Sequence, residues 1–177
     1  MKGCKMCIVP EQFLCTHSFL YCDYEYFAWF GGNPEGIEDR FVAIFRWKGL
    51  HRAYNPYDVW GDWNNWDENT INGYSLVTRV FLNHLREPIK FPILDKNVWV
   101  AAKQLKPDIS SRKNYIEEDY EAYRSFFNEL YRNNKDNINC PAVQNISKKI
   151  VKRRVLDRVL WEYGRILLAD NLARNAQ

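Results

Sequence analysis

No apolar run in this 177-residue chain approaches the length of a membrane span, so no spanning helix is expected. The chain also lacks a P-loop, a G-x-G-x-x-G turn and an H-E-x-x-H pair. Those absences exclude the common phosphate cradle, the dinucleotide fingerprint and the zinc-protease helix. There is no internal repeat and no low-complexity tract, which excludes a solenoid or a biased linker. No alternating β pattern of useful length occurs. Histidine is scarce: His17, His51 and His84 are scattered, and no Ser/His/Asp order stands out. A lone histidine such as His84, inside a helix, reads as structural or exposed rather than catalytic. The start, MKGCKMCIVPEQF, has no continuous apolar stretch before a small-residue cleavage site. A cytosolic location is therefore the expectation.

What the chain has in excess is aromatic rings. Seven Trp, eleven Tyr and ten Phe make up 16% of the residues. That content excludes a disordered chain, and the length suits one domain, residues 1–177, with a substantial core. Net charge is only +3, but it is unevenly placed. Residues 142–177 carry eight basic groups against three acids, a net of +5, so the rest of the chain sums to −2. A basic segment on a nearly neutral body has two readings: a phosphate-backbone footprint or a solvated helix face.

Five cysteines are present, four of them spaced C-x2-C-x7-C-x6-C at Cys4, Cys7, Cys15 and Cys22. Thiolates so placed could bind zinc or an iron–sulfur cluster. Only the leading pair has ordinary metal-site spacing, and Cys15 and Cys22 lie among apolar residues, where a reduced thiol packs as a small hydrophobe. No bound metal and no cofactor are expected, and a disulfide framework is not expected either.

The pattern predicts helices joined by turn-rich loops. Pro10 to Gly31–Gly32 reads as one helix, or as two with Asp23 capping the second. Residues 37–48 follow, with Ile37, Phe41, Ile44 and Phe45 as an apolar stripe and Lys48 as a cation at the end. Asn55-Pro56 and Gly61 are breakers, yet Trp60, Trp63 and Trp66 recur every third residue, as on a short helical turn. These rings suit core packing or base stacking. Residues 74–86 form a helix ended by Pro88, and KFPILD is extended because Pro92 cannot sit inside a helix. Asp95 is placed to cap the next helix, KNVWVAAKQL. Helices over 115–132 and about 146–169 complete the chain. The last is expected to turn Ile150, Val151, Val155, Val159 and Leu160 inward, opposite its basic residues. The fold class is all-α, a compact multi-helix domain.

F-P-I-L-D-K-N-V at 91–98, after the helix Y-S-L-V-T-R-V-F-L, resembles the helix-hairpin-helix DNA glycosylase superfamily, and its adenine-glycosylase branch most closely. I-F-R-W-K at 44–48 and L-D-R-V-L-W-E-Y-G-R at 156–165 are similar to segments of uncharacterised bacterial relatives. The three pieces span residues 44–165. The resemblance implies the glycosylase fold and an enzyme that flips a base out of duplex DNA into a pocket. Asp95 would then stabilise the cationic sugar or orient water. As an N-cap it also has a purely structural role, and the two are compatible. The hairpin of that superfamily reads L-P-G-V-G; the matching stretch here is N-T-I-N-G-Y-S, with Gly73 its one glycine. No Lys occurs in 67–89, so a Schiff-base lyase step is not expected and the enzyme would be monofunctional. No Cys follows Cys140, so the C-terminal iron–sulfur cluster of many relatives is not expected.

On this resemblance the partner is duplex DNA, with no membrane and no obligate protein partner. Asp95 is the catalytic residue. DNA is expected to meet Gly73, Tyr74, Ser75 and Thr78 at the hairpin-like turn, and Lys148, Lys149, Lys152, Arg153 and Arg154 on the last helix. Tyr57, Trp60 and Trp63 are the expected rings of a base pocket. The alternative is a non-catalytic helical module, binding DNA or protein on the same scaffold.

Overall fold

A computed structural model describes residues 23–32, 35–66, 71–110, 116–140 and 142–175. The architecture is all-helical, with no strand among the described residues. In chain order the helices are α1 (Tyr24–Gly31), α2 (Ile37–Trp47), α3 (Pro56–Asn65), α4 (Leu76–Arg86), α5 (Lys96–Leu105), α6 (Glu117–Asn134) and α7 (Lys148–Asn175). Short 3-10 turns lie at Leu50–Arg52 and Pro107–Ile109. The expected first helix falls partly outside the described residues, as do Cys4, Cys7, Cys15 and Cys22. No helix among the described residues is long and apolar enough to cross a membrane.

The helix boundaries follow local chemistry. Asn55 accepts the Tyr57 N–H at 3.2 Å, and Pro56 takes the first helical position of α3, where its missing N–H costs nothing. Asn-Pro therefore starts a ten-residue helix here rather than breaking one. Ser75 caps α4 through its hydroxyl on the Thr78 N–H. Gly49, with φ of 82°, turns the chain sharply after α2 and leaves Lys48 at the helix end.

The interior divides into two aromatic-rich clusters with α4 between them. Phe81, Leu82 and Leu85 of α4 pack with Tyr26, Phe41, Ile44, Phe45 and Val59 of α1–α3. Val80 joins Val98, Trp99, Tyr123, Phe127, Leu156 and Leu160 of α5–α7. The extended FPIL segment serves both: Ile93 enters the first cluster and Leu94 the second. An extended backbone cannot pair its own carbonyls, so buried ones need outside donors. Three side chains supply them. His84 Nδ1 meets the Phe91 oxygen at 2.6 Å, and the Tyr120 and Tyr123 hydroxyls donate to the Pro92 and Ile93 oxygens, each at 3.1 Å. Asp95 thus follows a segment clamped from α4 and α6.

Helix α7 crosses the start of α5 at Gly164. A Cβ built there would overlap the Asn97 carbonyl, so only glycine permits this approach. The crossing lies two residues past Asp95 and holds the α5 N-terminus against α7.

One expectation about α7 fails. Arg153 and Arg154 do not lie on a solvated face opposite the apolar residues; each is only 6% exposed. They are interior because partners on distant elements receive them, as described next.

Candidate functional site

Asp95 occupies the N-cap of α5. Its Oδ1 accepts the Asn97 and Val98 N–H groups at 2.9 and 3.1 Å, and its Oδ2 accepts Lys48 Nζ at 2.7 Å. Lys48 comes from the end of α2, where the helix dipole favours a cation, as the start of α5 favours an anion. Burial works against charge on Asp95, but the Lys48 charge and these hydrogen bonds outweigh it and hold the carboxyl below its ordinary value. Asp95 stays ionised and 23% exposed.

It opens into a cleft of about 200 Å³, walled by Trp47, Lys48, Ile93, Asp95, Arg154, Asp157, Arg158 and Trp161. The three sequence segments at 44–48, 91–98 and 156–165 therefore converge on one site. Arg154 is the hub of its ionic floor. Its guanidinium donates to Asp23 through Nε (2.9 Å) and Nη2 (2.7 Å), and to Asp157 through Nη1. It also stacks over Tyr26 and Trp47, 5.1 and 4.8 Å from the ring centres. Burial opposes its charge, but Asp157 and Asp23 overcome that and keep it protonated. Arg158 sits 4.6 Å over the Trp161 ring.

Asp157 is the second carboxyl of the cleft, 5% exposed. Burial pushes its pKa up to about 6, with Arg154 and Lys48 pulling the other way. Its Oδ2 holds Arg154, and its buried Oδ1 meets no hydrogen-bond donor among the described residues. Below lies His84, whose pKa burial drives down to about 3. Its neutral ring must carry the proton on Nδ1 to bond the Phe91 carbonyl, leaving Nε2 to accept from Tyr26 at 3.0 Å. Of the structural and exposed positions expected for His84, the structure shows a buried one with both ring nitrogens engaged.

The predicted ring set is not at this cleft. Trp60 and Trp63 pack on Phe41 at 5.2 and 5.4 Å, and the Trp63 indole N–H donates to the Leu82 carbonyl at 3.1 Å. Tyr57 is 51% exposed. The rings beside Asp95 are Trp47 and Trp161, because α2 and α7 rather than α3 flank it. Both rings fall inside the segments singled out for resemblance, which was the available signal. The partnership of Lys48 with Asp95, 47 positions apart, had no local signature.

At the hairpin-like turn, Gly73 and Ser75 are exposed and Tyr74 is half-buried. The Tyr74 hydroxyl bonds Asp62, and the Tyr54 hydroxyl accepts the Ser75 N–H at 3.2 Å. Thr78 corrects its expectation: it is fully buried, its hydroxyl 2.9 Å from Ser75 Oγ, and it offers nothing to a surface ligand.

A second, larger cleft of about 590 Å³ lies between the end of α6 and the start of α7. Arg132, Lys135, Lys148, Lys149, Lys152 and Arg153 line it, with Asp136 the one acid among the lining residues. Lys148 and Lys149 are exposed, as expected of phosphate-binding groups. Arg153 forms the floor, bonded to Asn128 at 2.9 Å and stacked over Phe127 and Tyr131. Arg154 belongs to the ionic floor of the other cleft, and both of its carboxylate partners are buried with it. It is therefore not a surface contact for DNA.

No group of three or more His, Cys, Asp or Glu among the described residues is placed to hold a metal ion. No protein-family model, no curated protein and no solved structure matches the chain.

Proposed function

We propose that the chain is a DNA glycosylase-like hydrolase, monofunctional, acting on a base flipped from duplex DNA into the cleft at Asp95. One observation carries this proposal. The three segments that resemble the helix-hairpin-helix glycosylases meet at a single cleft, and the carboxylate they converge on is held ionised. Breaking an N-glycosidic bond develops positive charge on the sugar. A fixed carboxylate in a partly dry site stabilises that charge without reorganising. The clamped FPIL segment and the α5 N-terminus supply the fixed position. Trp47 and Trp161 are the rings of the cleft wall that would stack on a flipped nucleotide, each already carrying a guanidinium, Arg154 and Arg158. Lys48 and Arg158 also line this cleft, each already paired with a carboxylate, Asp95 and Glu162 respectively. The broad basic cleft around Lys148 and Lys149 suits the backbone of the remaining duplex.

A second reading has its own support: both Asp95 oxygens already have partners, as in a purely structural cap. On that reading the protein is a non-catalytic helical module that binds DNA or another protein. The deciding experiment is release of free base from a panel of duplexes carrying damaged or mispaired bases. Release from at least one supports the hydrolase; no release from any, with salt-dependent binding or with none, supports the module.

A further inference from the structure

The basic cleft at the start of α7 departs from ordinary helix chemistry in two ways. A helix N-terminus carries partial positive charge, and acids in the first turn normally offset it. Helix α7 has no acid in its first turn and begins instead with Lys148 and Lys149. The facing wall is the end of α6, which brings Arg132 and Lys135. All four cations are exposed, and none has an ion pair or a side-chain hydrogen bond among the described residues. Surface cations elsewhere behave differently: Arg79, Arg124, Arg158 and Arg165 each hold a carboxylate.

The second departure is Arg153, on the floor of the cleft. It is 6% exposed, and no carboxylate pairs with it among the described residues. Its Nη1 donates to the neutral Asn128 oxygen at 2.9 Å, while Nε and Nη2 meet no acceptor. The rings beneath it, Phe127 and Tyr131, are neutral as well. Burial draws its pKa below the ordinary value. Arg154, the next residue, is equally buried but holds two carboxylates. A buried charge without a counter-ion is costly, and an anion seated above it reduces that cost.

We propose that this cleft is a binding site for a compact run of linked phosphates, the group carried by a free nucleoside triphosphate or an inorganic polyphosphate. The site needs only the cleft and does not depend on hydrolysis at Asp95. Lys148 and Lys149 from α7, with Arg132 and Lys135 from α6, meet the phosphate oxygens. The α7 N-terminus adds its dipole. Arg153 contributes charge from beneath rather than a contact. A duplex spreads its phosphates along a convex cylinder, so few can enter a cleft between two helix ends. Linked phosphates bring several charges to one place, where the unpaired cations are. The duplex backbone therefore competes with this ligand for Lys148 and Lys149.

The probe is inorganic tripolyphosphate, titrated by calorimetry into the full chain at fixed ionic strength. The expected result is saturable binding of one molecule per chain, with a rise in Tm. Lys148→Gln with Lys149→Gln should weaken binding at least about tenfold. Arg153→Met keeps an apolar stem over the rings but removes the charge, and should reduce both affinity and the rise in Tm. The exposed lysine pair keeps the test decisive even if the Arg153 variant does not fold. Tripolyphosphate should also displace a labelled duplex where sulfate of equal ionic strength does not. Absence of saturable binding, or binding unchanged in the lysine variant, would overturn the proposal. A duplex that binds through these lysines while tripolyphosphate does not would overturn it in favour of a strand backbone alone. None of these readings uses base release, so failure of the hydrolase would leave them standing.

Discussion

The two clefts beside α7 use the same residue types to opposite ends. In the cleft at Asp95, cations and carboxylates are matched: Lys48 with Asp95, and Arg154 with Asp23 and Asp157. In the cleft at Lys148, six basic residues line the walls with one acid. Matched charge in a buried setting fixes side chains and moves pKa values; it leaves little attraction for a distant polyanion. Unmatched charge at a surface does the reverse. It stays mobile and solvated, and it contributes long-range attraction that salt weakens. Within one run, K-K-I-V-K-R-R, both behaviours occur. Burial, rather than residue type, decides which one a given cation shows.

That contrast can be broken most forcefully at Arg154. Arg154→Leu leaves Asp23 and Asp157 buried without their shared cation, and should cost about 3–5 kcal/mol in stability. Chemical denaturation measures it; a loss below about 1 kcal/mol would mean that the ionic floor is not a rigid matched cluster. Gly164→Ala tests the geometry of the same cleft. The added methyl meets the Asn97 carbonyl, so the expected cost is about 1–3 kcal/mol, with base release reduced as the α5 N-terminus shifts. Unchanged stability and unchanged release would show that Gly164 does not set the position of Asp95. The smallest stability effect belongs to the other cleft. Lys148→Gln with Lys149→Gln should leave stability within about 0.5 kcal/mol of the wild type. Duplex binding should weaken, and the slope of log affinity against log salt should fall by about two. An unchanged slope would remove these lysines from any DNA contact.

Most helices were legible because their apolar residues recur at helical spacing; Asn55-Pro56, by contrast, reads as a break in the sequence and in the structure caps and opens α3. Asp95 was legible as a capping residue because its side chain can accept a free N–H of the helix that follows. What escaped is long-range. Arg154 looks like a surface cation until Asp23, 131 positions earlier, is brought beside it. Asp23 does stand at the start of α1 as anticipated, yet its carboxylate caps nothing there and bonds Arg154 instead. Trp60 and Trp63 looked like pocket rings because they cluster in sequence; α3 packs them on Phe41, away from Asp95. Asp157 carried no local mark of its position, since a buried acid on an amphipathic helix has the same spacing as an exposed one.

The most direct test of the central claim is single-turnover release of free base by wild type and by Asp95→Asn, with duplex binding measured on the same samples. Asparagine keeps the shape and an oxygen for the α5 N–H groups, but not the negative charge. The expected result is release reduced by at least about 10²-fold with binding retained. Equal release by the two proteins would contradict the assignment of the chemistry to Asp95.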